Sequence, residues 1–269
     1  MSKQRLIFRL EGSDDDRGNV HLGDFIKQLD AIRHALKETD RVLNERPATD
    51  FIIVDLSHSS PATIVIEEIP RPDRRTTELS VLNTFFANLV AIMSGDLPPR
   101  IDYDAIHAYQ RIGARVGRRV KSVQVRSNSQ SVTLTPDFGR RIDQILGPDE
   151  VEYGSVSGRL EQINLHGQRV FTIYPALGLR RLRCAFPNEL RAEAVKAVDR
   201  YVRVYGRLRF KRGLDRSHPY EMAVQQIEVA PLADELPTLS SLRGIAADVE
   251  LDAPSEEVVR RIRDEWDEQ

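Results

Sequence analysis

The first 148 residues combine two hydrophobic periods. Leu6, Phe8 and Leu10 alternate with polar residues, as in a half-buried strand, whereas the apolar positions 22, 25, 26, 29, 32, 36 and 43 follow helical spacing. Similar patterns predict β-hairpins over 51–67 and 120–135, helices over 76–95 and 102–112, and a short helix that begins at Thr135-Pro136 and ends at Gly147-Pro148. Strands and helices mixed in this order indicate an α+β domain, in which helices pack on an antiparallel sheet.

Residues 149–231 follow a different pattern, in which strands dominate. Strands are predicted over 152–165, 169–174, 180–186, 201–210 and 220–229, with one helix over 188–200. Gly154 and Gly158 lie in the first strand, where a bent barrel strand requires them. This order resembles the OB-fold, a five-stranded Greek-key barrel. The resemblance implies a barrel whose second and third strands form a ligand-binding surface.

The sequence as a whole predicts an α+β protein with three parts. An N-terminal antiparallel sheet with helices occupies residues 1–148, and an OB-like five-stranded barrel occupies residues 149–231. An acidic linker and an amphipathic tail helix occupy residues 232–269. A chain of 269 residues is long enough for two cores.

Charge is distributed very unevenly between the last two parts. Residues 151–231 contain 14 Lys/Arg and 8 Asp/Glu, a net charge of +6, while residues 232–269 contain 4 Arg and 11 Asp/Glu, a net charge of −7. A basic segment favours nucleic acid as a partner, and an acidic segment favours a basic protein or its own basic neighbour. The overall charge of −2 therefore hides two opposed blocks.

The predicted barrel strands carry arginines interleaved with aromatic residues. Aromatic rings stack on bases while arginines follow phosphates, which is how many proteins hold single-stranded nucleic acid. The alternative is that the arginines only form the solvated face of a barrel, with a protein partner or a structural role. The candidate nucleic-acid contacts are Arg169, Phe171, Tyr174, Arg181, Arg183, Arg203, Tyr205, Arg207 and Arg209.

The C-terminal tail carries a second candidate interface. Ser255 is a good N-cap, and an apolar stripe at helical spacing follows it, so a short helix that docks on a partner is predicted. The pattern S-x-x-R-G-I, a spacer and an R-x-x-R-D-E-W-like helix resembles the toxin-binding tail of type II antitoxins paired with PIN-domain ribonucleases. The alternative is a tail that docks on its own chain or on another subunit. The resemblance implies a ribonuclease toxin as the protein partner, contacted by Leu242, Arg243, Ile245, Val259, Ile262 and Trp266.

Candidate catalytic and metal-binding residues are few. The six histidines are scattered without ligand spacing, and the lone Cys184 lies in an apolar run. Asp14, Asp15 and Asp16 are interpreted as a solvated turn, and the five cations within residues 111–121 as a solvated helix end or a phosphate contact. We expect no catalytic residue, metal or cofactor.

These observations predict a non-enzymatic, cytoplasmic binding protein, antitoxin-like, with no membrane span and a possible homo-oligomeric state. Two alternatives stay open at this point. One is an accessory subunit of a nucleic-acid-processing enzyme that grips a single strand with its barrel. The other is a structural or assembly protein.

Overall fold

The structure is a computed structural model that describes residues 4–57, 60–74, 76–175, 181–214, 218–231, 256–257 and 260. By its contacts the chain divides into one compact unit, Met1–Ile227, and a second unit, Glu228–Gln269. The compact unit is mixed α+β, as predicted, and contains two five-stranded sheets. No helix in the described part of the chain is long and apolar enough to cross a bilayer.

The first sheet is antiparallel, as predicted, and has the strand order β2-β3-β1-β4-β5. Its inner face is apolar because the period-2 pattern puts Leu6, Phe8 and Leu10 of the central strand on the side that the helices cover, where all three are fully buried. The strands are β1 (Arg5–Gly12), β2 (Thr49–Ser57), β3 (Ala62–Pro70), β4 (Val120–Ser127) and β5 (Gln130–Leu134).

Four helices pack on this sheet: α1 (Leu22–Asn44), α2 (Val81–Ser94), α3 (Tyr103–Gly113) and α4 (Phe138–Leu146). The predicted start of α2 at Thr76 was wrong, because Ser80 is its N-cap and accepts a hydrogen bond from the backbone N–H of Asn83. The predicted start of α4 was also early by two residues, since its N-cap is Asp137 rather than Thr135.

The second sheet is a five-stranded barrel with the order β10-β8-β7-β6-β9. Its strands occur in the predicted order along the chain, but the predicted helix over 188–200 is shorter, a 3₁₀ turn at Asn188–Leu190 followed by α5. Three neighbouring pairs are antiparallel, whereas β10 runs parallel to β8. The elements are β6 (Asp149–Asn164), β7 (Val170–Pro175), β8 (Leu182–Ala185), α5 (Arg191–Lys196), β9 (Tyr201–Lys211) and β10 (Glu221–Val229).

The segment between β9 and β10 ties the barrel to the first sheet's helices. The backbone N–H of Gly213 donates to the carbonyl of Leu146 at the end of α4, at 2.9 Å. A side chain at position 213 would clash with the carbonyl of Ile145, and Leu214 packs on the first core. The two sheets therefore belong to one compact unit.

Candidate nucleic-acid interface

A cleft of about 840 Å³ lies where α3 faces the outer surface of β6, β7 and β8. The inward residues of these strands fill the barrel, so that the alternate residues point into the cleft. Amide, hydroxyl, guanidinium, imidazole and phenol groups line it. The residues of this cleft are Tyr103, Asp104, His107, Gln162, Ile163, Asn164, His166, Gln168, Val170, Thr172, Arg181, Arg183, Tyr220 and Glu221.

The cleft brings together two of the predicted contacts, Arg181 and Arg183. Each has a carboxylate beside it: Arg181 Nη2 lies 3.4 Å from Asp104, and Arg183 Nε lies 3.7 Å from Glu221. Arg183 also donates to the side-chain oxygen of Gln168, at 3.0 Å. Both guanidinium groups remain more than half exposed, and exposed ion pairs at these distances contribute little free energy. An anionic ligand can therefore exchange with either carboxylate.

Two of the predicted aromatic contacts, Phe171 and Tyr174, do not line the cleft. Phe171 lies in the barrel core with 1% of its surface exposed and packs against Phe186, at 5.3 Å between ring centroids. It has no surface to offer a base. Tyr174 is half-buried opposite Arg159 of β6 and does not line the cleft.

Three rings that the sequence analysis did not select form a column at the cleft. The rings of Tyr220 and Tyr103 stack at 4.2 Å between centroids and 17° between planes, and His107 continues the column at 5.9 Å and 23°. His107 is exposed at the end of this column. Asp102 fixes the start of α3, since its carboxylate caps the N–H of Ala105 and receives two hydrogen bonds from Arg41.

The other end of the column is anchored by Asp149. Desolvation, together with the hydrogen bond of its hydroxyl to the Asp149 carboxylate, raises the pKa of Tyr220 to about 12. Lys211 donates to the same carboxylate at 2.6 Å, and this hydrogen bond lowers the pKa of Asp149. The Tyr220 ring is thus held by its hydroxyl as well as by stacking.

Replacing Tyr220 by phenylalanine tests this anchor through its pH dependence. A raised pKa means that the folded state favours the protonated phenol, so its stabilisation is complete below about pH 10 and is lost as the pH rises through about 12. We expect the stability difference between wild type and Tyr220→Phe to shrink over this range in urea titrations. The control is Tyr201→Phe at an exposed position. A Tyr220→Phe difference that is independent of pH would contradict the anchor.

The remaining predicted contacts lie on other faces of the barrel. Arg169 and Arg207 line a separate depression of about 450 Å³, here called the trough. Arg209 approaches Glu221 at 3.4 Å, and Arg203 donates to the hydroxyl of Ser157 at 3.1 Å. Tyr205 is half-buried on β9. The trough is lined by Gly167, Gln168, Arg169, Ala185, Phe186, Pro187, Arg207, Ala223, Val224 and Gln225.

Several cations of the 111–121 segment are held by nearby carboxylates. Arg115 and Arg119 approach Asp24 at 3.2 and 3.8 Å, and Lys121 donates to Asp14 at 2.7 Å. Asp16 accepts from Ser13 at 2.8 Å, and this bond lowers its pKa. Asp14 of the acidic turn therefore neutralises part of the positive charge of residues 111–121.

The lone cysteine, Cys184, is buried inside the barrel, and this burial raises the pKa of its thiol. Within the described residues, no group of three or more His, Cys, Asp or Glu side chains is arranged to hold a metal ion. The predicted partner contacts of the tail, Leu242, Arg243, Ile245, Val259, Ile262 and Trp266, lie outside the described residues.

No protein-family model matches the chain, and no curated protein sequence is significantly similar to it.

Proposed function

We propose that this protein binds single-stranded nucleic acid in the cleft between α3 and an OB-like barrel. One observation carries the proposal. The cleft joins an aromatic column that ends in an exposed ring, a wall of amide side chains and two exposed guanidinium groups. Bases can stack on the aromatic ring and hydrogen-bond to the amides, and phosphates can pair with the guanidinium groups.

The topology of the barrel supports the OB-like part of the proposal. Numbered within the barrel, its strands follow the order 1-2-3-5-4, the third and fifth strands are parallel, and a helix connects the third to the fourth. The cleft residues come mainly from the first three strands and the loop between β6 and β7. In OB-folds the second and third strands and this loop form the surface that binds oligonucleotides or oligosaccharides.

The chemistry of the cleft favours a nucleotide strand over an oligosaccharide. The exposed His107 ring offers a face on which a planar base stacks, and base–aromatic stacking contributes about 1–3 kcal/mol per base. Gln162, Asn164 and Gln168 can each donate and accept, as base edges require. Arg181 and Arg183 can exchange the carboxylates of Asp104 and Glu221 for a phosphate, a group that a neutral sugar lacks.

The test is binding of fluorescent oligo(dT) and oligo(rU), measured by anisotropy over a series of salt concentrations. We expect Arg181→Gln/Arg183→Gln to lose about tenfold or more in affinity and to flatten the salt dependence, by about 0.7 in slope for each phosphate that the variant no longer neutralises. The control is Arg9→Gln/Arg46→Gln, which removes two exposed cations that do not line the cleft. Equal affinities for the cleft variant and the control would reject the proposal, as would binding that is independent of salt.

A second function rests on the sequence of the tail alone. Its acidic charge and its resemblance to antitoxin tails support a non-enzymatic role in which residues 239–269 bind and neutralise a protein, with a PIN-type ribonuclease as the proposed partner. Binding by the cleft and binding by the tail use different residues. The two roles are therefore compatible and separately testable.

A further inference from the structure

Two alanines of neighbouring barrel strands line the trough. Ala185 of β8 and Ala223 of β10 lie opposite each other in the parallel pair, and both are only partly buried. The adjacent outward pair in the register is Arg183 and Glu221, which have longer side chains. Two methyl groups beside longer neighbours leave a depression, and its volume is about 450 Å³.

Two guanidinium groups that line this depression have no ion-pair partner among the residues that the structure describes. Within the described part of the chain, neither Arg169 nor Arg207 has a carboxylate within 4.0 Å, and the lining of the trough contains no Asp or Glu. Arg183 and Arg209, by contrast, share Glu221 at 3.7 and 3.4 Å. The positive charge of this side of the barrel is therefore concentrated at the trough.

The position of the two arginines is set by the barrel itself. The carbonyl of Arg169 accepts a hydrogen bond from the N–H of Phe186 at 3.2 Å, while Arg207 is an outward residue in the long pairing of β9 with β6. Two guanidinium forks on a concave surface with amide neighbours are suited to the oxygens of a phosphate. Gln168 and Gln225 supply those amides.

We propose that the trough binds a backbone phosphate of the strand whose bases occupy the cleft. Gln168 lines both the cleft and the trough, so both cavities adjoin the loop between β6 and β7. The strand leaves the cleft across this loop and reaches Arg169 and Arg207. This inference rests on the proposed function, and it adds a direction and a minimum length to the bound strand.

Oligo(dT) of two lengths separates the trough from the cleft. The probes are a hexamer, which occupies the cleft, and an 18-mer, which reaches both cavities. We expect Arg169→Gln/Arg207→Gln to weaken binding of the 18-mer about tenfold and to reduce its salt slope by about 0.7, the value for one phosphate, with little change for the hexamer. The control is again Arg9→Gln/Arg46→Gln, which removes the same amount of charge. Thermal melting checks that each variant is folded.

Substitutions at Gln225 provide a gain of function that a folding defect cannot imitate. Gln225 is exposed at the trough, so Gln225→Lys is expected to tighten binding of the 18-mer and Gln225→Glu to weaken it. The hexamer is expected to respond to neither.

Two outcomes would overturn the inference. They are unchanged 18-mer binding by Arg169→Gln/Arg207→Gln and an equal loss for both lengths. If the cleft variant leaves the hexamer unaffected while the trough variant weakens the 18-mer, the proposed function of the cleft fails and the trough remains a phosphate site.

Discussion

Replacing Gly206 by alanine is expected to lower the free energy of unfolding by about 3 kcal/mol. A Cβ atom at position 206 would lie 2.1 Å from the carbonyl oxygen of Ala223 and 3.0 Å from the Cα of Val224. Both are backbone atoms of β10, which have no rotamer through which to move away. The substitution must therefore push β10 from β9, at the wall that also carries the trough. For a compact unit of this size, the melting temperature should fall by roughly 6–12 °C.

Gly154 supplies the matched control, because it is the residue directly opposite Gly206 in the pairing of β6 with β9. A Cβ atom there would lie 2.8 Å from Cδ1 of Leu208, a methyl group at the end of a flexible side chain. We expect Gly154→Ala to cost less than about 1 kcal/mol. Urea titrations of the two variants give both values. Equal stabilities would mean that β9 and β10 separate easily, contrary to the packing around Gly206.

The elements of the fold follow closely from the sequence, because each strand and helix has its own hydrophobic period. The strict alternation at Leu6, Phe8 and Leu10 identified β1, and all three residues are fully buried. Helix starts were less certain. Thr76 and Ser80 are both acceptable caps, and the choice between them depends on where Leu82 meets the core and on its backbone N–H donating to Glu68. That contact lies between elements and leaves no local signal.

The candidate site was only partly predictable for the same physical reason. Alternation correctly placed Arg181 and Arg183 outward, and the same rule places Phe171 inward with Ile173, so the error at Phe171 was avoidable. Tyr103 and His107 carried no such signal. They lie more than 40 residues before the barrel strands that they face, and only the docking of the two sheets brings them to the cleft.

The sequence also did not indicate which of the candidate arginines form ion pairs. All nine candidate contacts were chosen by residue type, yet Arg183 and Arg209 share Glu221 while Arg169 and Arg207 have no carboxylate partner among the described residues. Charge counted along the chain therefore overestimates the charge that a ligand meets. What matters for binding is the charge that remains after local pairing.

Deleting residues 239–269 is expected to change two kinds of binding in opposite directions. This segment contains 4 Arg and 9 Asp/Glu, so its removal changes the formal net charge of the chain from −2 to +3. Affinity for oligo(dT) should rise severalfold at low salt, since less negative charge then opposes a polyanion. Capture of a PIN-type ribonuclease, measured by co-purification and by inhibition of its nuclease activity, should disappear because the proposed contact residues are gone.

A second variant separates the two effects. Full-length chain with Val259→Ser/Ile262→Ser keeps every charge of the tail but removes two residues of its apolar stripe. This variant is expected to lose the ribonuclease while its affinity for oligo(dT) stays at the wild-type value. If the deletion leaves the ribonuclease bound, the antitoxin-like role is rejected. If the deletion and the apolar variant raise oligo(dT) affinity equally, the tail acts on the cleft through its apolar residues rather than through its charge.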